Sequence, residues 1–131
     1  KPLDAFDGLR LSLKYFETAA FSSAAPISLR RAITNPLHKV PVSLLKHDLL
    51  ACEGLGRGID WRRITCPCLV VAGSNDNLTS PAYARVLTHM LPDARFKQID
   101  QGGHIFLHEQ PEASLKVIRE FLDWLDKEKA L

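Results

Sequence analysis

Two side chains in this 131-residue sequence stand where proton-transfer chemistry would need them. Asp76 ends the stretch Cys66-Pro67-Cys68-Leu69-Val70-Val71-Ala72-Gly73-Ser74-Asn75-Asp76, and His104 follows 28 residues later in Gln101-Gly102-Gly103-His104. A carboxylate that accepts from one imidazole nitrogen fixes the tautomer and stabilises the imidazolium, leaving the other nitrogen to take a proton from a nucleophile. An Asp-His dyad without a nucleophile can orient water but lacks the covalent route. Gly102 and Gly103 are expected to turn the backbone sharply, because glycine tolerates positive φ, and to leave the imidazole unobstructed. Taken singly, both residues also suit bland roles: Asp after Gly-x-x caps its own turn, and a histidine in a glycine-rich loop is often solvated. The order strand, Asp, helix, strand, Gly-Gly-His, helix is far more specific than either residue.

The elements that must carry the pair are legible. Cys68 to Ala72 is a continuous apolar run that stops at Gly-Ser-Asn-Asp, the pattern of a strand buried on both faces. Its C-terminal end is where ligands bind in open α/β sheets. Thr79-Ser80-Pro81 supplies an N-cap with proline at the first helical position. Tyr83, Val86, Leu87 and Met90 keep the spacing of a helix with one buried face, and Pro92-Asp93 stops it. Arg95 to Ile99 reads as a second strand, although Phe96 and Ile99 do not alternate cleanly. Strand, helix and strand together take about 30 residues, the size of a βαβ unit with parallel strands. Pro111-Glu112 opens a last helix with Ile118, Phe121, Leu122 and Leu125 as its apolar stripe, and Glu109 and Glu112 stand near the positive end of its dipole.

Residues 1–60 read as helical with proline punctuation. Leu9, Leu13, Phe16 and Ala20 form one stripe, Pro26, Pro36 and Pro41 break the chain, and Ser43 to Cys52 is a further helix closed by glycines 54, 56 and 58. The local pattern leaves open a lid over a pocket or a plain packed helical segment. The second region starts near Ile59-Asp60-Trp61.

Bulk properties narrow the classes. The length suits one domain with a real core. The composition is 46% hydrophobic and 24% charged, without repeats or low-complexity tracts, and the net charge of +2 argues for neither nucleic acid nor an anionic membrane. No apolar run reaches the ~18 residues of a membrane span. Cys52, Cys66 and Cys68 are an odd number without framework or metal-ligand spacing; Cys66 and Cys68, on one face of an extended segment, are expected to be buried strand thiols, and a reducing, cytoplasmic compartment fits best. No cofactor or metal site is expected. Two convincing strands cannot supply the neighbours that a doubly buried strand needs. The chain, which starts at Lys1 rather than Met, therefore reads as a processed or truncated piece of a larger α/β sheet, with the missing strands on another segment or chain.

Residues 64–125 closely resemble the C-terminal third of the α/β-hydrolase family: a strand, Gly-x-x-Asp, a helix opening with proline, a strand, Gly-His and a final helix. Here those elements are Ile64 to Asp76, Pro81, Gly103-His104, Glu109, Pro111-Glu112 and Phe121-Leu122. The resemblance implies an α/β fold, the C-terminal part of an α/β-hydrolase parallel sheet over 61–131, with residues 1–60 as the helical cap or lid. It implies that Asp76 is the triad acid and His104 the general base, in the family order of nucleophile, acid and histidine. Asp100 competes for the acid role but stands only four residues before His104, and Asp60 suits a turn or cap. His38, His47, His89 and His108 match no motif and are expected on the surface or lid. No Gly-x-Ser-x-Gly elbow occurs, and none of the serines, Ser22, Ser74 and Ser80 among them, has its context. A serine, esterase-like hydrolase acting on an ester, amide, thioester or C–C bond would then need a nucleophile from an N-terminal segment or companion chain, and this chain alone should be inactive. Relatives with an Asp or Cys nucleophile, of dehalogenase or epoxide hydrolase type, and a non-catalytic interaction module are the alternatives. Phe16, Phe21, Leu29, Ile33 and Leu37 would suit a small apolar substrate, or simply pack the lid.

Overall fold

The computed structural model describes residues 13–53 and 58–129. Leu9 of the first stripe, and Gly54 and Gly56 of the expected helix stop, lie outside them. The elements are helix α1 (residues 13–19), α2 (Ile27–Leu37), α3 (Val42–Glu53), a 3-10 turn (Trp61–Arg63), β1 (Cys68–Gly73), α4 (Pro81–Met90), β2 (Ala94–Ile99), α5 (Phe106–Glu109) and α6 (Pro111–Lys129). They form two compact units, one of residues up to Thr18 with Pro26–Ile59, the other of Ala19–Ala25 with Asp60 onward.

The first unit is helical. Pro26 and Pro41 precede α2 and α3, where a missing N–H costs nothing, and their carbonyls accept from Arg30, and from Leu44 and Leu45. Pro36 does not break the chain as expected. It sits in the last turn of α2, and the helix closes just beyond it, with the His38 N–H donating to the Pro36 carbonyl. Leu44 and Leu50 of α3 are about half exposed, and Gly58 takes the left-handed φ of +77° that ends the segment.

The second unit is α/β, as the sequence predicts. β1 and β2 pair in parallel from Cys68↔Ala94 to Gly73↔Ile99, so both strands end together. Alternation along β2 shows how the helices flank it. Phe96 and Gln98 meet Arg85 of α4, whose guanidinium lies 4.4 Å from the Phe96 ring centre and donates to Gln98 at 3.0 Å. Arg95 and Lys97 meet α6, through Trp124 at 3.6 Å and Glu120 at 3.6 Å. Each face of β2 thus meets a helix, although Arg95, Lys97 and Gln98 stay exposed.

Burial differs from expectation in β1. Ala72 and Gly73 are buried, but Cys68 to Val71 are only half-buried. Among the described residues β1 has a strand on one edge only. The thiols are likewise not core groups: Cys52 and Cys66 are exposed, and Cys68 is half-buried with its Sγ 3.3 Å from the Cys66 carbonyl. The packed centre lies instead where Ala72 and Ile99 end their strands, with Ala19, Ala20, Phe21 and Ala25 in the same unit. Phe21 is 2% exposed, so it is core and not a substrate-facing lid residue.

Candidate active site

Because the strands end in register, the loops that leave them start side by side. Backbone bonds stitch these loops together: Ser74 N–H to the Ile99 carbonyl (2.9 Å) and Asn75 N–H to the Gly102 carbonyl (2.8 Å). The Gln101 N–H donates to Ser74 Oγ at 2.7 Å. This close approach is what the glycines serve. A Cβ at Gly73 would overlap the carbonyl oxygens of Gly102 and Gly103, and one at Gly103 would overlap the Ser22 nitrogen and Glu109 Oε1. Neither Gly102 nor Gly103 has positive φ, contrary to expectation; the left-handed residue in the turn is Gln101, at φ 56°. The histidine loop needs glycine for room rather than for φ.

This stitching brings Asp76 and His104 together. His104 Nδ1 lies 2.9 Å from Asp76 Oδ2, across 28 residues of chain. The Asp76 side chain is 5% exposed and that of His104 36%. Asp76 Oδ1 accepts from the backbone N–H groups of Leu78 (2.9 Å) and Thr79 (2.8 Å). Its Oδ2 accepts from the Thr79 hydroxyl at 2.8 Å as well as from His104. Burial pushes the Asp76 carboxyl up. The bonds from the Thr79 N–H, from His104, from the Thr79 hydroxyl and from the Leu78 N–H outweigh that and hold it below the usual carboxylate range. The group is an anion at neutral pH and an acceptor only. Opposite this anion Nδ1 is the donor, and Nε2 makes no hydrogen bond among the described residues.

The competing groups lie elsewhere. Asp100 is exposed, and its contact in the loop is through its carbonyl, which accepts from Gln110 Nε2 at 2.6 Å. Asp60 caps the 3-10 turn, accepting from the Arg62 N–H and pairing with its Nε at 3.0 Å. His38, His47, His89 and His108 are all exposed. His38 meets Glu17 at 2.7 Å, and His89 Nδ1 lies 2.7 Å from the Arg85 carbonyl. Among the described residues no three His, Cys, Asp or Glu side chains cluster as a metal site. No helix among them is long and apolar enough to cross a membrane.

Two residues at the site carry roles that sequence reasoning missed. Glu109 stands just before α6, as expected, but its carboxylate has a further task. It ends α5 and turns inward, where Oε2 accepts from the Gly103 N–H at 3.1 Å and both oxygens accept from the Ser22 N–H at 3.2 and 3.3 Å. The Ile105 N–H donates to the Ala20 carbonyl beside it. The residue before His104 is thereby tied to Ala19–Ala25. The second is Thr79. The helix cap falls to Ser80, whose hydroxyl accepts from the Ala82 N–H, so Thr79 is released toward the dyad.

Comparison with known proteins agrees with this architecture. The model of the Alpha/beta hydrolase family matches residues 2–117. A Mycobacterium tuberculosis protein provisionally named non-heme bromoperoxidase BpoC is 38% identical over 53 residues, 40% of this chain and 20% of that protein. Rhodomycin D methylesterase DnrP of Streptomyces peucetius is 29% identical over 72 residues, 53% of this chain and 24% of its own length. The poly(3-hydroxyalkanoate) depolymerase of Ectopseudomonas oleovorans is 39% identical over 71 residues, 53% of this chain and 25% of its own length. The chain thus spans a fifth to a quarter of these curated relatives. A crystal structure of a membrane phospholipase A shares the fold with a TM-score of 0.63 at 19% identity, over 88% of this chain and 38% of that one.

Proposed function

The chain belongs to the alpha/beta hydrolase family, and we propose that it supplies the acid and the general base of a hydrolytic triad whose nucleophile lies outside these 131 residues. The observation that carries this reading is the 2.9 Å Nδ1–Oδ2 pair, buried on the carboxylate side and open on the imidazole side. In this reading a serine hydroxyl, on a strand-to-helix elbow of a preceding segment or companion chain, donates to His104 Nε2. As its oxygen attacks the carbonyl carbon, the proton passes to Nε2, and the Asp76 carboxylate stabilises the imidazolium. His104 then returns that proton to the leaving group. A water molecule, deprotonated in turn by Nε2, hydrolyses the acyl intermediate and regenerates the serine.

The substrate class we propose is an ester, in line with the relatives named as a methylesterase and a polyester depolymerase. Residues 1–60 are read as the helical cap over that substrate. Thioester, amide or C–C cleavage would use the same proton path. Fluorophosphonate labelling of the native protein, purified with whatever segment or chain accompanies these residues, tests the proposal. A labelled serine outside this chain, whose labelling is lost with His104→Ala, is the expected result. Labelling that is indifferent to His104, or a native protein that never reacts, would overturn it.

A further inference from the structure

We propose that Thr79 is a positioning residue of the dyad, whose hydroxyl pins the Asp76 carboxylate against His104 Nδ1. The inference rests on the reading of Asp76 and His104 as acid and base. It comes from a closed triangle: Thr79 Oγ1 is 2.8 Å from Asp76 Oδ2 and 2.9 Å from His104 Nδ1, and those two atoms are 2.9 Å apart. All three edges are of hydrogen-bond length, yet Asp76, held below the usual carboxylate range, brings no proton.

Two protons must therefore serve three edges. With the Thr79 hydroxyl donating to Oδ2, the Nδ1–H also points at Oδ2 and shares itself with a lone pair of Thr79 Oγ1. Every atom is then satisfied. The hydroxyl bond to Oδ2 holds the carboxylate where the same oxygen meets Nδ1. An oxygen of a carboxylate that is 5% exposed cannot recover a lost bond from water, so removing the hydroxyl leaves Oδ2 one donor short and free to move off Nδ1.

The backbone makes the placement firm. The Thr79 N–H donates to Asp76 Oδ1 at 2.8 Å, so the same residue grips both carboxylate oxygens, one through its main chain and one through its side chain. Only the second grip depends on residue type. Thr79→Val keeps the shape and the N–H but loses the hydroxyl, and Thr79→Ser keeps the hydroxyl.

The test combines carboxyl and imidazole NMR with kinetics, on wild type, Thr79→Val, Thr79→Ser and Asp76→Asn. Thr79→Val should move the Asp76 carboxyl titration upward and change the His104 imidazole signals as the carboxylate loses its hold. It should lower kcat/KM of the native hydrolase about tenfold, the loss expected of one hydrogen bond to a charged group, with KM unchanged. Thr79→Ser should restore all three. A Thr79→Val protein that titrates like wild type, or a Thr79→Ser that behaves like valine, overturns the proposal. If Asp76→Asn changes the His104 imidazole signals while Thr79→Val changes neither these nor the Asp76 titration, the dyad stands and Thr79 is excluded. If neither variant changes the imidazole signals, the acid–base reading itself fails.

Discussion

Replacing Glu109 by alanine removes an acceptor of two backbone donors, the Gly103 and Ser22 N–H groups. Both lie in part-buried surroundings, and both residues are themselves buried. Losing the acceptor of a buried donor costs about 1–3 kcal/mol, so two such losses cost up to about 2–6 kcal/mol. Glu109 itself is only half-buried, so water entering the space left by the side chain recovers part of this, and about 2–4 kcal/mol is the expected loss. Glu109→Gln keeps one carbonyl oxygen and should cost about half as much. Urea unfolding of the full chain, read with amide hydrogen exchange at Ser22 and Gly103, measures both the total and its location. A loss below about 0.5 kcal/mol for the alanine variant, with exchange at the two amides unchanged, would refute the clamp.

Gly73→Ala should be as damaging without touching any side chain of the site. Its Cβ would overlap two carbonyl oxygens of the histidine loop, and forced backbone shifts of this kind cost about 1–3 kcal/mol. The imidazole NMR signals of His104 should change with it, whereas Gly58→Ala, beside open space though at positive φ, should leave them alone. For Asp76 the folded state holds the carboxyl below its unfolded value, so folding favours the ionised form. That stability is fully present above the unfolded carboxyl pKa and is lost as pH falls through the lower folded value. Acid unfolding curves of wild type should therefore be steeper across this window than those of Asp76→Asn. Equal slopes would contradict the network around Asp76.

The sheet and its helices were legible because each has its own signal. Proline at 81 and 111 marks helix starts, the apolar run 68–72 marks a strand, and the Gly-x-x-Asp and Gly-Gly-His turns mark where strands stop. The pairing of Asp76 with His104 followed from that order plus parallel topology. What stayed hidden depends on contacts between distant residues. A single turn such as α5 is too short to show periodicity. Glu109 looks like a dipole residue alone until Ser22 arrives from 87 positions away. Thr79 and Ser80 are both good caps, and only the folded loop assigns the cap to one and the dyad to the other. Cys66 and Cys68 read as buried because free cysteine packs as a small hydrophobe. But β1 has a strand on one edge only among the described residues, and Cys66 is exposed and Cys68 half-buried.

The account stands on Asp76 and His104 acting as one acid–base unit toward an outside nucleophile. Steady-state ester hydrolysis by the native hydrolase, comparing wild type with Asp76→Asn and His104→Ala at neutral pH, addresses that directly. Asp76→Asn should lose about 10⁴-fold in kcat and His104→Ala about 10⁶-fold, as expected when the tautomer is wrong or the base is removed. Activity within tenfold of wild type for either one would contradict it.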